Sequence, residues 1–311
     1  MEKINPRDVY GDTLVKLGEK DPNIVVLDAD LAKSTKTIKF GKKFPERFFD
    51  MGIAEANMIS VAAGLASCGK TAFVSTFAVF VPGKVYDQIR MSVAYSNMNV
   101  KMFSTHAGVS VGKDGASHQM LEDIALMRVM PNMKTFAPSD PFLTGRIVEL
   151  MAQNYGPMYA RVGREAMYPI YKEDELEDLK IGESIQLRDG DDVTIIAHGM
   201  MVREAISAHE ILKKKGISAE IIDMWTIKPL DEKKILSSAG KTGRIVAVEE
   251  HSIIGGMGSA VAEVLSENKI DAAFKRMGIG DVFCESGDPY DLFKKYHLTD
   301  QDIAKTAESL L

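Results

Sequence analysis

Short apolar runs typical of β-strands alternate with helical patterns along the whole of this 311-residue chain. The first series of predicted strands covers residues 24–27, 47–50, 71–75, 100–104, 134–136 and 158–161. The helices predicted around them cover residues 7–20, 54–67, 85–95, 120–129 and 141–154. Because parallel strands need a long crossover, which is usually a helix, this alternation predicts an α/β fold. We expect a doubly wound parallel sheet with helices on both faces.

A charged stretch at residues 172–178 separates this series from a second one. The second series has predicted strands at residues 193–197, 219–223, 244–248 and 273–276. Its predicted helices lie near residues 202–215, 231–238, 258–268, 288–296 and 300–311. A chain of this length is enough for two domains of ordinary size. We therefore expect one α/β domain over residues 1–175, a linker over 176–184 and a smaller α/β domain over 185–311.

The charge balance and the apolar segments exclude several classes of protein. The net charge is −6 and the pI is about 5.6, whereas nucleic-acid binding usually needs a basic excess. The apolar stretch 59–83 contains Lys70 and Pro82, so a buried helix, a turn and a buried strand explain it better than a bilayer span. The polar N-terminus does not resemble a signal peptide. Cys68 and Cys284 lie far apart, which predicts reduced thiols in a cytoplasmic protein.

The segment 105–119, THAGVSVGKDGASHQ, concentrates chemically versatile side chains in a glycine-rich loop. It holds His106, Asp114 and His118, directly after a predicted strand. Its glycines disfavour a long helix, which predicts a loop at a sheet edge. The spacing is loose for zinc and no cysteine joins the histidines. A polar cluster that binds a sugar therefore explains the segment better than a metal site.

Glu55 and two phenylalanines are candidates for binding a flat ring. Glu55 opens a predicted apolar helix. There it could simply complement the helix dipole, which is worth under about 1 kcal/mol, or hydrogen-bond a ring nitrogen from a buried position. Phe77 and Phe80 come just after a predicted strand, at the edge where parallel sheets bind ligands. They could stack on a heterocycle or pack in the core, and the residues alone leave both alternatives open.

Three further residues are candidates for binding an anion. Arg161 ends a predicted strand, and its planar, permanently charged guanidinium suits phosphate. Arg7 and Ser34 are weak candidates on their own, because a surface arginine and a loop serine need no function.

Two patterns in the second half imitate functional motifs. The sequence Gly-Met-Gly at 256–258 imitates a dinucleotide fingerprint, but Val261 departs from it, which indicates close helix packing instead. Glu-Glu-His at 249–251 imitates a metal motif but lacks the helical spacing of metal ligands.

Five segments taken together resemble the C-terminal section of the transketolase family, which is a pyrimidine-binding domain followed by a C-terminal domain. They are residues 28–31, 52–55, 75–81, 105–119 and 128–133. The resemblance covers nearly all of the chain. It implies a thiamine-diphosphate-dependent enzyme of the pentose phosphate pathway that transfers a two-carbon ketol unit from a ketose phosphate to an aldose phosphate.

The resemblance implies roles at the cofactor for several of these residues. Glu55 matches the family's cofactor-activating glutamate, and Phe77 and Phe80 match the side chains that hold the aminopyrimidine ring. Asp30 matches an aspartate near the thiazolium ring, and His118 matches a catalytic histidine.

The resemblance also implies a substrate site. Asp114 matches the residue that reads a substrate hydroxyl. The residues that match the group gripping the sugar phosphate are Arg7, Ser34, His106 and Arg161. Two positions depart from the family pattern: Gly83 stands where some members have a third aromatic, and Ala107 stands in place of a common Asp.

The resemblance also implies a partner. The chain lacks the N-terminal part of the family, which holds the diphosphate and its divalent metal, Mg²⁺ or Ca²⁺. We therefore expect the chain to be inactive alone and to act with a separate N-terminal subunit. We expect two copies of each, so that this chain also contacts a second copy of itself.

Three other interpretations stay open at this point. A 1-deoxyxylulose-5-phosphate synthase is similar at residues 49–50 and 255–260, but it is normally a single fused chain without a counterpart to His106. The β subunit of a 2-oxo acid dehydrogenase shares the Glu and Phe pattern but not the sequence at 113–119. A non-catalytic assembly subunit would not need all of the candidate site residues. Besides these three, the sugar that a split transketolase would use also stays open, because the sequence fixes the two-carbon transfer better than the sugar.

Overall fold

A computed structural model describes residues 2–311, which form two β-sheets flanked by helices. In chain order the strands are β1 (Ile24–Asp28), β2 (Phe48–Asp50), β3 (Thr71–Phe77), β4 (Val100–Thr105), β5 (Lys134–Phe136), β6 (Met158–Arg161), β7 (Ile185–Arg188), β8 (Val193–Ala197), β9 (Ala219–Asp223), β10 (Thr226–Lys228), β11 (Arg244–Ser252) and β12 (Ala273–Ile279). The first sheet has the order β10-β5-β6-β4-β3-β1-β2, and the second has the order β12-β11-β8-β9-β7.

The helices fill the crossovers between these strands. They are α1 (Pro6–Lys20), α2 (Ala32–Thr35), α3 (Ile38–Lys43), α4 (Glu55–Ser67), α5 (Tyr86–Gln88), α6 (Asp123–Arg128), α7 (Pro141–Gln153), α8 (Met201–Lys214), α9 (Glu232–Thr242), α10 (Met257–Glu267), α11 (Pro289–Lys295) and α12 (Asp300–Glu308). Turns of 3₁₀ type lie at Pro45–Arg47, Val109–Asp114 and Glu173–Leu176, and π-type turns lie at Val79–Gly83 and Ile89–Tyr95.

The expected α/β architecture with parallel sheets is confirmed. Strands β1, β3 and β4 pair in parallel and are buried along their whole length. Such strands need helices on both faces. On one face α1 and α7 bury Tyr10, Leu14 and Ile147 against the sheet, and on the other α4 buries Met58 and Ala62.

Two strands and two helices were not expected from the sequence. Strand β10 has only three residues, yet it pairs antiparallel with β5 and so completes the first sheet with residues from the second half of the chain. Strand β7 also pairs antiparallel, at an edge, and half of it is exposed. Helices α2 and α3 are four and six residues long. Elements this short carry too few residues to show a periodic pattern.

The carboxyl ends of β1, β3, β4 and β6 meet at one edge of the first sheet. The register pairs Asp28 with Ser75, Phe77 with Thr105, and Ser104 with Arg161. Predicted site residues follow β1, β3 and β4, and Arg161 ends β6, so the fold gathers these candidates at one edge, where open parallel sheets bind ligands.

The stretch 59–83 forms the expected buried helix, turn and strand: α4 ends at Ser67 and β3 begins at Thr71. Of the helices within residues 2–311, none combines the length and the apolar character that crossing a membrane requires. Cys68 is exposed, Cys284 is buried, and neither forms a disulfide.

Candidate active site

Glu55 lies buried at the first turn of α4. The residue is 3% exposed, and Lys84 Nζ lies 2.5 Å from its Oε2 atom. The side chain of Lys84 is about half exposed. This burial excludes the alternative that Glu55 only complements a helix dipole at the protein surface. A buried carboxylate whose partner can move away into solvent is suited to receive a polar ligand group.

Two phenylalanine rings form an apolar wall beside this carboxylate. Phe77 is the last residue of β3, and the π-type turn that follows carries Phe80. Their ring centroids are 6.0 Å apart with the planes 15° from parallel. Lys84 Nζ lies 5.8 Å from the Phe80 ring centroid, so the lysine links the wall to Glu55. Phe77 is buried, whereas Phe80 is partly exposed and presents ring surface to the site.

His106 turns back over Phe77. It directly follows β4 with a φ of 60°, in the left-handed region that histidine adopts more readily than most residues. Its ring stacks on Phe77 with 3.7 Å between centroids, and Thr105 Oγ1 lies 2.8 Å from its Nδ1 atom. Burial, and then the positive charges of Arg7 and Arg164, lower the pKa of His106 to about 3. The imidazole is therefore neutral at physiological pH.

His118 completes a cluster with these rings. Its ring centroid lies 6.2 Å from that of Phe77 and 5.7 Å from that of Phe80, edge-on in both cases. Ser117 Oγ lies 2.9 Å from its Nδ1 atom. We call Phe77, Phe80, His106 and His118 the aromatic cluster.

Two arginines lie next to the aromatic cluster. Arg7 donates from Nε to Asn5 Oδ1 at 3.1 Å and from Nη1 to the carbonyl oxygen of Ser34 at 3.1 Å. Arg164 donates from Nη1 to the carbonyl oxygen of Val111 at 3.2 Å. Burial and the nearby charge of Arg164 lower the pKa of Arg7. Two guanidinium groups held close together form a natural receptor for an anion.

Asp114 and Asp30 lie at the rim of the site. Asp114 is exposed, and its Oδ1 atom lies 3.5 Å from Arg164 Nη1. Asp30 follows β1 with a φ of 60°, is exposed, and donates its backbone N–H to Asp50 Oδ1 at 3.1 Å. Both residues are at the sheet edge that carries the aromatic cluster.

Arg161, which the resemblance places in the phosphate-binding group, is paired with other groups of the protein. It is 5% exposed, its Nη1 atom lies 3.1 Å from Asp123 Oδ1, and its Nη2 atom donates to the carbonyl oxygen of Glu250 at 3.1 Å. Arg161 thus ties the two halves of the chain together. Both ends of its guanidinium group are thus engaged within the protein.

Two site residues were missed by the sequence reasoning. Arg164 lies in the loop three residues beyond β6, where loop position was the signal that favours ligand contact. Lys84 follows the π-type turn, and no pattern in the sequence indicates its pairing with Glu55.

Packing explains the two sequences that imitate functional motifs, Gly-Met-Gly at 256–258 and Glu-Glu-His at 249–251. The backbone N–H groups of Met257 and Gly258, at the start of α10, each donate to the Glu249 carboxylate at 2.8 Å. A Cβ at Gly256 would lie 2.3 Å from Glu249 Oε2. The chain's own carboxylate therefore occupies this helix N-terminus. Within residues 2–311, no group of three or more His, Cys, Asp or Glu side chains is arranged to hold a metal ion.

Comparison with known proteins gives matches over both halves of the chain. The domain described as "Transketolase, pyrimidine binding domain" matches residues 2–169, and "Transketolase, C-terminal domain" matches residues 182–303. A Methanocaldococcus jannaschii protein named as a transketolase C-terminal section is 51% identical over 299 residues, which is 96% of this chain and 94% of the relative.

Two other similar proteins also match at nearly full length. The 6-deoxy-6-sulfo-D-fructose transketolase subunit of Clostridium sp. (strain MSTE9) is 41% identical over 98% of this chain and 94% of the relative. A solved structure described as "Split gene transketolase, inactive beta4 tetramer" is 48% identical, covers 99% of this chain and 98% of its own, and superposes with a TM-score of 0.92. These relatives match in length as well as in sequence.

Proposed function

Because this chain belongs to the transketolase family, which depends on thiamine diphosphate, we propose that it is the C-terminal subunit of a two-subunit transketolase. Its proposed reaction moves a two-carbon ketol unit from a ketose phosphate to an aldose phosphate. The observation that carries this proposal is the buried carboxylate of Glu55 beside the wall formed by Phe77 and Phe80. An acidic group next to an apolar ring surface is what binding of an aminopyrimidine requires.

The residues present fit the cofactor. Glu55 would hydrogen-bond a ring nitrogen of the aminopyrimidine and hold a proton there, after Lys84 has moved away from its Oε2 atom. Phe77 and Phe80 would hold the ring, and Asp30 would lie near the thiazolium. When bound, thiamine diphosphate supplies the nucleophilic carbon that carries the ketol unit between sugars.

The two arginines and the histidines would bind the substrate. Arg7 and Arg164 supply two positive charges for the phosphate, with Ser34 beside Arg7. His106 is neutral, so it would act as a hydrogen-bond partner rather than as a cation. Asp114 would read a hydroxyl group of the sugar, and His118 would donate or accept the proton at the reacting oxygen.

The relatives support a separate partner subunit. One is named a C-terminal section, another is named a subunit, and the solved structure is described as an inactive tetramer of a split-gene enzyme. We propose that the partner is an N-terminal transketolase subunit that holds the diphosphate through Mg²⁺ or Ca²⁺, in an assembly of two copies of each chain.

Reconstitution tests this function. The chain mixed with thiamine diphosphate, Mg²⁺, a ketose phosphate and an aldose phosphate should show no ketol transfer until the N-terminal subunit is added. In the reconstituted enzyme, Glu55→Gln should abolish transfer. Glu232→Gln is the matched control, because Glu232 occupies the first turn of α9 but is exposed. Full turnover by the chain alone would refute the need for a partner, and an active Glu55→Gln enzyme would favour a non-catalytic role.

A sulfonated ketose is a second candidate donor. The Clostridium relative is named for a sulfofructose, and two guanidinium groups can bind a sulfonate as well as a phosphate. The ratio of kcat/KM for the phosphorylated and sulfonated ketoses, measured on the reconstituted enzyme, decides between the two donors.

A further inference from the structure

Glu250 lies in strand β11 of the second sheet and contacts the loop 107–119, which carries proposed substrate residues. Glu250 is 5% exposed, and its Oε1 atom accepts a short hydrogen bond from the backbone N–H of Ser110. Ser110 lies in the 3₁₀ turn Val109–Asp114, between His106 and Asp114. The carboxylate of Glu250, in the second domain, therefore binds the backbone of the loop 107–119 in the first.

The approach of Glu250 depends on a glycine. Gly108 has a φ of +83°, and a Cβ at this position would lie 2.3 Å from both Cδ and Oε1 of Glu250. The loop backbone thus lies directly against the carboxyl group, closer than any other residue type allows.

The other end of the loop is held by the same domain. Gln119 Nε2 donates to the carbonyl oxygen of Glu285 at 3.0 Å, and Ser286 Oγ donates to the carbonyl oxygen of Lys113 at 2.5 Å. A Cβ at Gly112 would lie 3.2 Å from the carbonyl oxygen of Gly287. The segment 107–119 therefore contacts Glu250 on one side and residues 285–287 on the other.

The charges around Glu250 suit a structural acceptor. Burial raises its pKa to about 7, while the hydrogen bond from Ser110 and the charge of Arg161 act in the opposite direction and Asp123 adds to the rise. A carboxyl group retains an accepting oxygen in both protonation states. The bond to Ser110 can thus persist on either side of neutral pH.

We propose that Glu250 is a positioning residue for ketol transfer: it fixes the loop 107–119, and with it His106, Asp114 and His118, in the geometry that binds the sugar. The C-terminal domain then fixes the position of the residues that bind the sugar. Glu55 and Phe80, which would bind the cofactor, lie outside the loop that this domain contacts. The role of the loop in binding sugar rests on the proposed function. The attachment of the loop to the C-terminal domain does not depend on it.

Hydrogen exchange and kinetics test this role together. Amide exchange in residues 106–119 is measured by mass spectrometry for the wild type and for Glu250→Ala, Glu250→Asp and Glu250→Gln. Glu250→Asp withdraws the carboxylate by one methylene and serves if Glu250→Ala does not fold. Glu220→Gln is the matched control, since Glu220 is an equally buried carboxylate of the second sheet that pairs with Lys234, away from the loop. The KM for the donor sugar and the Kd for thiamine diphosphate are measured on the reconstituted enzyme.

We expect Glu250→Ala and Glu250→Asp to raise exchange in the loop and the donor KM by about tenfold each, with the cofactor Kd unchanged within twofold. Glu250→Gln retains an accepting oxygen and should restore both values to within about twofold of the wild type. Unchanged loop exchange, or an equal rise in α4 and β3, would overturn the inference. If the wild-type complex shows no turnover, the proposed function fails while the exchange result still decides the loop's attachment.

Discussion

Arg164 is the residue at which the proposed phosphate binding can be tested with little effect on folding. It donates to the carbonyl of Val111 and influences both His106 and Arg7. Arg164→Met should raise the KM for a phosphorylated donor by about ten- to a hundredfold, because a charge-assisted hydrogen bond is worth about 1.5–3 kcal/mol. The free energy of unfolding should change little. Steady-state kinetics with and without the donor's phosphate group measure the effect, which should vanish for the unphosphorylated sugar.

Arg161→Met is the contrasting variant. It leaves Asp123 buried without its ion partner, which costs about 3–5 kcal/mol of folding stability. We expect a large loss in the urea midpoint and no specific effect on the phosphorylated donor. A phosphate-specific KM effect from Arg161→Met, and none from Arg164→Met, would favour Arg161 as the residue that binds the phosphate.

His106 should make stability depend on pH in the acidic range. Its pKa is about 3 in the folded chain and about 6.5 in the unfolded one, so between these values the unfolded state binds the extra proton. Stability is therefore lost as the pH falls from about 6.5 to 3, with a limiting slope of about 1.4 kcal/mol per pH unit. Urea denaturation of the free chain at several pH values should show a shallower slope for His106→Asn. The exposed His297 gives the control variant His297→Asn. Equal slopes for all three proteins would contradict the assignment.

The sequence could predict that several candidate residues lie near the carboxyl ends of strands, but it could not predict which side chains pair. Phe77 ends β3, Phe80 follows it, and His106 and His118 lie in the segment after β4, and these strands are visible in the sequence. Contacts between distant segments leave no local signal. The pairing of Lys84 with Glu55 joins positions 29 residues apart, and that of Glu250 with Ser110 joins positions 140 apart.

At the level of elements, the long helices and most strands were predictable, whereas β7, β10, α2 and α3 were not. Strands β5, β6, β8 and β9 have the expected bounds. Helix α7 ends one residue earlier than expected, at Gln153. By contrast, β10 is defined by its partner strand rather than by its own three residues. The segment expected as one helix at 85–95 contains a short α-helix and a π-type turn, a local rearrangement that hydrophobic spacing does not distinguish.

The start of α7 is an element whose stability can be tested through one residue. Asp140 accepts the backbone N–H groups of Phe142 at 2.6 Å and Leu143 at 3.0 Å through Oδ1. Its Oδ2 atom accepts the N–H of Ile170 at 2.5 Å. Asp140→Ala removes the cap and leaves buried donors unpaired, so it should cost about 2–3 kcal/mol in urea denaturation. Asp288→Ala, which removes the cap of the more exposed α11, should cost about 1 kcal/mol. Equal losses would show that the tie to Ile170 adds nothing.

On the scale of the whole molecule, the two halves share a β-sheet in addition to contacts between side chains. Strand β10, from the second half, is an edge strand of the first sheet. Arg161 of the first half contacts the backbone of Glu250 in the second. A charge-assisted hydrogen bond of this kind fixes where the two halves meet and contributes about 1.5–3 kcal/mol. We call the contacts of β10 with β5 and of Arg161 with Glu250 the seam between the two halves. The seam can hold the loop 107–119 in position while hydrophobic packing supplies most of the folding free energy.

The seam carries the chain's single tryptophan, which makes its opening directly measurable. Trp225 is fully buried, and its ring centroid lies 5.7 Å from that of Phe136 in β5. Its carbonyl oxygen accepts the N–H of Ala137 at 2.8 Å. Because a strand of one half completes the sheet of the other, we expect both halves to unfold together. Urea curves followed by tryptophan fluorescence and by far-UV circular dichroism should then coincide. Repeating them at two protein concentrations separates unfolding from dissociation of self-associated chains. A fluorescence transition at clearly lower urea would mean that the seam opens first, and the second domain could then not hold the catalytic loop as rigidly as the contacts of Glu250 imply.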